Sequence, residues 1–147
     1  MTEDNDPEQV AELDRLDEAV RTAPAGDTTA QIALWRHVTG LAHWFFIARG
    51  SADRPRPFGV AAEQGSMICL YSSAARAKDA AHTLGLVDPE SGTVPLMGVP
   101  MPAAIDYVAS FGRAGVVGVA LDHPRVGHYI PLANLGLLKG WLEGTAR

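Results

Sequence analysis

The chain has 147 residues, 47% of them hydrophobic and 20% charged, with a formal net charge of −5 and one cysteine. That length and balance suit one globular domain able to bury a core without staples, and no apolar run approaches the ~18 residues a membrane helix needs. Residues 1–20 hold eight acids and one base, net −7, while the remainder holds nine acids and eleven bases, net +2. A nearly neutral body with an acidic arm argues against nucleic-acid binding, which needs a basic stripe.

The opening MTEDNDPEQV is acidic and polar, unlike a secretory signal or transit peptide. Asp6-Pro7-Glu8-Gln9 offers a helix cap, a proline at the first helical position and a glutamine three residues after the cap. Val10, Leu13, Leu16 and Val20 then share one narrow face. This predicts a solvated helix packed loosely on the body, or a docking arm for a partner. Residues 22–27, with Pro24 and Gly26, read as a linker.

Thr28-Thr29-Ala30-Gln31 matches a capping box and starts a second helix, with Ile32, Leu34, Trp35, Val38 and Leu41 on its buried side. The run HWFFIA, residues 43–48, predicts a buried strand, its aromatics serving the core. Residues 48–57, ARGSADRPRP, predict a loop. FGVAAE and SMICLY predict two strands joined by a tight turn at Gln64-Gly65. The lone Cys69 falls in the second, where a buried structural thiol is expected.

Ser72 or Ser73 caps a helix through Leu84, with Ala74, Ala77, Ala81 and Leu84 inward, Arg76, Lys78 and Asp79 outward, and Gly85 as its C-cap. After a turn at residues 88–92, TVPLMGV predicts a strand that Pro95 places at an edge or makes irregular at its start. Met101-Pro102 opens a helix through Phe111. GVVGVAL, residues 115–121, is the clearest buried strand, and GHYI predicts a short one. Leu132, Leu135, Leu138 and Leu142 mark a final helix, weakened by Gly136 and Gly140. The order predicts an α/β (α+β) single domain: a mixed, mostly antiparallel sheet with helices packed on it, preceded by an acidic helical arm and linker over 1–27.

The densest chemistry is LDHPRVGHYIPL, residues 121–132, with Asp122, His123, Arg125 and His128. If its flanking strands pair as a hairpin, both histidines approach across the loop, for acid–base chemistry or, with Asp122 as a third ligand, for a metal. Asp-His-Pro also reads as plain turn chemistry, with Asp capping its own backbone. No Gly-x-Ser-x-Gly, Gly-x-Gly-x-x-Gly or P-loop pattern occurs, and no catalytic residue, metal ligand or cofactor is assigned. Arg49, Arg54 and Arg56 fall within eight positions and are candidates for an anion, an acidic peptide or a neighbouring molecule's acidic arm, or form a solvated connector.

Several stretches together resemble the SseB-like family, whose founding members are called enhanced-serine-sensitivity proteins. They are Ala33-Leu34-Trp35 opening the domain, the strand HWFFIA, the strand-to-helix passage LYSSAARAKDAA, a glycine-valine strand turning at Asp122-His123-Pro124, and the closing GHYIPLANLGLL. The resemblance covers about residues 30–142 and implies an SseB-like α/β domain over 28–147, of no established biochemical activity. It transfers no catalytic residue and makes position 122 and its proline ordinary turn residues. The expectation is a cytoplasmic, non-enzymatic protein-interaction module, acting on a protein partner or as a dimer. The alternative is a small enzyme or metal-binding protein using Asp122, His123 and His128.

Overall fold

The computed structural model describes residues 4–51, 53–63, 65–126 and 128–143, without the side chains of Ser51, Leu142 and Glu143. Gln64, expected in the tight turn, and the side chain of Leu142, expected on the inner face of the last helix, lie outside the described residues.

The described strands form two sheets rather than one. In the first, β1 (His43–Ser51) stands between β2 (Arg54–Pro57) and β5 (Leu96–Pro100), antiparallel to both. In the second, β3 (Gly59–Ala62), β4 (Gly65–Leu70), β6 (Val116–Leu121) and β7 (Tyr129–Pro131) lie in the order β3-β4-β6-β7, parallel only between β4 and β6. A seam joins the sheets. Phe45 and Tyr71 exchange both backbone hydrogen bonds, at 3.0 and 2.8 Å. Beyond that point β1 and β4 diverge, and the bent segment β2–β3 fills the gap. At its bend the Phe58 N–H donates to Ile47 O and its carbonyl accepts from Cys69 N. Mixed α/β architecture and mostly antiparallel pairing are as the sequence predicts.

Side-chain alternation along the strands makes two cores. Trp44, Phe46, Ile68, Leu70, Val119 and Leu121 face one way, toward α1 (Pro7–Thr22), α2 (Thr29–Thr39), α4 (Ala103–Ala109) and α5 (Leu135–Glu143). Phe45, Ile47, Cys69 and Tyr71 face the other way, against Ala77, Ala80 and Ala81 of α3 (Ala74–Leu84). Alanine brings α3 close to the sheet. Its start is capped by Ser73 Oγ, which accepts from Arg76 N at 3.0 Å, and its end by Gly85 at φ 73°.

Several expectations are corrected. The acidic helix is not loosely packed: Leu13 is 2% exposed, and Leu13 and Leu16 belong to the main core. The Thr28 side chain does not cap α2; the carboxylate of Asp27 accepts from Thr29 N at 3.0 Å instead, which holds the Asp27 pKa below its usual value. Ile32 lies outside the core, at 44% exposure. Residues 48–57 are not a loop but the β1–β2 hairpin. Its prolines are tolerated because the Phe58 N–H points to β1, so the ring nitrogens of Pro55 and Pro57 fall on the alternate positions, away from that ladder. α4 ends at Ala109 and continues as a 3₁₀ turn over Ser110–Ala114, and another 3₁₀ turn, Leu132–Asn134, precedes α5.

Candidate functional site

β4 and β6 run side by side, so their C-terminal ends meet. β4 leads through Tyr71-Ser72-Ser73 into α3, and β6 ends at Leu121-Asp122. Carboxyl ends of adjacent parallel strands are where open α/β sheets bring functional groups together. Asp122 takes φ 48°, a left-handed conformation that Asp and Asn enter more readily than most residues. Its carboxylate therefore does not cap its own turn, as the sequence suggested. Oδ1 accepts from Ser72 N at 2.7 Å, and Oδ2 accepts from Ser72 Oγ at 2.7 Å and from Arg76 Nη1 at 2.9 Å. Asp122 is 2% exposed and Ser72 fully buried.

Arg76, expected to face solvent, turns inward and joins three elements. Its Nη2 lies 2.9 Å from Asp14 of α1, whose carboxylate also receives Arg125 Nη2 at 3.0 Å. Two guanidinium groups and two carboxylates balance across α1, α3 and the β6–β7 loop. A buried charge is tolerable when paired and fully hydrogen-bonded, and Asp122 meets that condition. His128 Nε2 donates to Asp17 Oδ1 at 2.6 Å, while Arg21 holds Asp17 Oδ2 at 2.7 Å. Asn5 stitches the seam: its Nδ2 donates to His43 O and Ser72 O, and its Oδ1 accepts from His43 N.

A cavity of about 220 Å³ opens beside this network, lined by Arg76, Asp79, Thr83, Asp122, Pro124 and Arg125. The Ser72 hydroxyl is buried and donates to a carboxylate, so it is not poised to attack a group in that cavity. The predicted hairpin of β6 and β7 forms, yet Asp122 and His128 serve separate partners, one in α3 and one in α1. His123 is half-buried, next to the cis His123–Pro124 bond. Among the described residues no three His, Cys, Asp or Glu side chains group so as to hold a metal ion. Arg125 thus joins Asp122 in one network, whereas His123 and His128 are not drawn into it.

Arg49, Arg54 and Arg56 lie elsewhere, exposed on the β1–β2 hairpin, with Arg49 directly opposite Arg56. A third feature was not foreseen. Ile32, Tyr129 and Leu137 are the most exposed large hydrophobic side chains described, at 44, 42 and 51%, and all three line one groove of about 200 Å³ between α2, β7 and α5. Trp35, Pro131 and Trp141 complete its apolar wall, with Arg36 stacked 4.6 Å from the Trp141 ring. Asp17 carried a legible signal, because it sits four residues from Leu13 inside the apolar stripe of α1. Arg76 carried none, being one charge among several on its helix.

Fold and site define a class: a mixed α/β protein whose N-terminal helix is held by ion pairs to α3 and to the β6–β7 loop. No protein-family model matches the sequence, and no curated protein matches it. No helix described is long and apolar enough to cross a membrane.

Proposed function

We infer that the protein is a non-enzymatic, SseB-like interaction module that associates with a second copy of itself through the groove between α2, β7 and α5. The observation that carries this is the convergence of Ile32, Tyr129 and Leu137 on one groove. Contiguous exposed apolar surface marks contact sites, whereas hydrophobic residues scattered singly do not. No charged side chain lines the groove among the described residues. In a chain of net charge −5, that is the kind of face two copies can bring together without like-charge repulsion. A patch holding both protruding side chains and a depression suits a two-fold contact, where each copy supplies the same surface. The cytoplasm is the compartment we propose, since the one thiol, Cys69, is buried and unpaired.

Sedimentation velocity over a concentration series tests the reading. The native chain is expected to shift from monomer to dimer, and Leu137→Glu and Ile32→Glu to stay monomeric while folded. A native chain that remains monomeric at about 100 µM, well above the micromolar range of weak homodimers, ends the proposal.

A further inference from the structure

On the β1–β2 hairpin, three arginines share one face. Arg49 and Arg56 are directly opposed partners in the ladder, so their Cβ atoms stand ~5 Å apart, and Arg54 follows on the same side two residues before Arg56. Like charges opposed across strands destabilise a sheet. Neither Arg49 nor Arg56 is bonded to an acid among the described residues, although Asp88 lines the same depression as Arg49 and the chain has seventeen acids to twelve bases. Four of the five acids of the N-terminal helix are engaged elsewhere, Asp14 with Arg76 and Arg125, Asp17 with His128 and Arg21, and Glu12 and Glu18 with arginines of their own helix. The acidic helix of a neighbour is therefore a poor match for this face.

The hairpin also presents the arginines stiffly. Pro55 and Pro57 fix alternate φ angles along β2 and leave no N–H at those positions, so the free edge of β2 is ill suited to pairing with an added strand. What remains open for contact is the opposed pair Arg49 and Arg56, not the backbone edge.

We propose that the opposed pair Arg49 and Arg56 forms a docking face for a short acidic segment of another protein, read by its carboxylates. Guanidinium groups suit this because each presents a planar fork matched to a carboxylate, so the opposed pair can hold two carboxylates side by side. Overall charge selects for a short partner. Fields reach about 10 Å at 0.1 M salt, so a segment confined to the hairpin escapes the net −5 of the whole chain. A long nucleic acid or an anionic membrane extends past the patch and meets that repulsion. This face is independent of the apolar groove.

Fluorescence anisotropy of a labelled hexaglutamate peptide against the full chain tests it. The native protein is expected to bind at about 0.1 M salt and to lose binding at about 1 M, where the Debye length falls to ~3 Å. Arg49→Glu/Arg56→Glu and the neutral Arg49→Gln/Arg56→Gln are each expected to weaken binding about tenfold or more at unchanged melting temperature, while Leu137→Glu leaves it unaltered. The proposal is overturned if the native chain does not bind hexaglutamate, or if folded double variants bind it as well. It is equally overturned if oligo-dT or phosphatidylserine vesicles bind more tightly than the peptide. A shift in oligomeric state caused by the arginine double variants assigns the face to a second copy and sinks it too.

Discussion

Ser72 and Asp122, fifty residues apart, are joined by two hydrogen bonds of 2.7 Å, one from the Ser72 backbone N–H and one from its hydroxyl. This pair closes the parallel strands β4 and β6 at the ends where α3 and the β6–β7 loop depart. Removing the carboxylate strands both Ser72 donors and Nη1 of Arg76, whose Nη2 keeps Asp14. Asp122→Ala is expected to cost about 3–5 kcal/mol, the range for breaking a buried pair by deleting one partner. Asp122→Asn costs less, because the amide oxygen still accepts from Ser72 N and Asn tolerates positive φ. Urea unfolding of the two variants checks the order; equal losses would mean that the negative charge, which both variants lack, carries the whole effect.

The status of α1 is open to an equally direct measurement. Leu13 and Leu34 are both almost fully buried, in the same core. Leu13→Ala should therefore destabilise by about 2–5 kcal/mol, comparable with Leu34→Ala. A loss under about 0.5 kcal/mol, typical of surface sites, would return the helix to the status of an appendage.

Cys69 provides a pH prediction. Burial pushes its thiol up from an ordinary 9.0 to about 12. The folded chain thus holds the proton more tightly than the unfolded one. The stability this represents is fully present below about pH 9 and is lost as pH rises toward about 12. Burial raises the Tyr71 hydroxyl as well, which acts in the same direction. A thiol-reactive dye at pH 8 should leave the native protein unlabelled and label it once urea has unfolded it. Cys69→Val should flatten the alkaline fall in stability.

Two glycines should respond in opposite senses. A Cβ at Gly59 would stand 2.6 Å from the backbone oxygen of Met67, where β3 meets β4. Gly59→Ala is expected to cost about 1–3 kcal/mol or more, as overpacking does. At Gly136 in α5 a Cβ meets nothing within 4 Å. Gly136→Ala should stabilise by about 0.4–1 kcal/mol through the unfolded chain's lost freedom. Thermal melts of both variants decide the matter.

Elements that announce themselves by local patterning were legible in the sequence. The Asp6 cap of α1, the strands around Trp44 and Val119, the Ser73 start and Gly85 end of α3, and the hairpin of β6 and β7 all appear near their predicted places. Long-range pairing was not legible. Nothing local tells that Asp122 reaches Ser72, or that Arg76, on a helix face that looks solvated, turns toward Asp14. The β1–β2 hairpin was hidden because prolines and arginines normally mark a connector, and only the alternation of the prolines along an edge makes them compatible with a strand. Ile32 fits the apolar stripe of α2, so its exposure depends on where α5 stops covering it.

Asp14 and Asp17 find Arg125 and His128 only after more than a hundred intervening residues. During synthesis the ribosome therefore releases an amphipathic helix long before the last of its anchors exist, Arg76 alone arriving midway. Until residue 128 has left the exit tunnel, Leu13 and Leu16 have an incomplete core to close on. The nascent chain carries an uncovered apolar stripe flanked by carboxylates, and those charges keep such an intermediate apart from its neighbours on the same message.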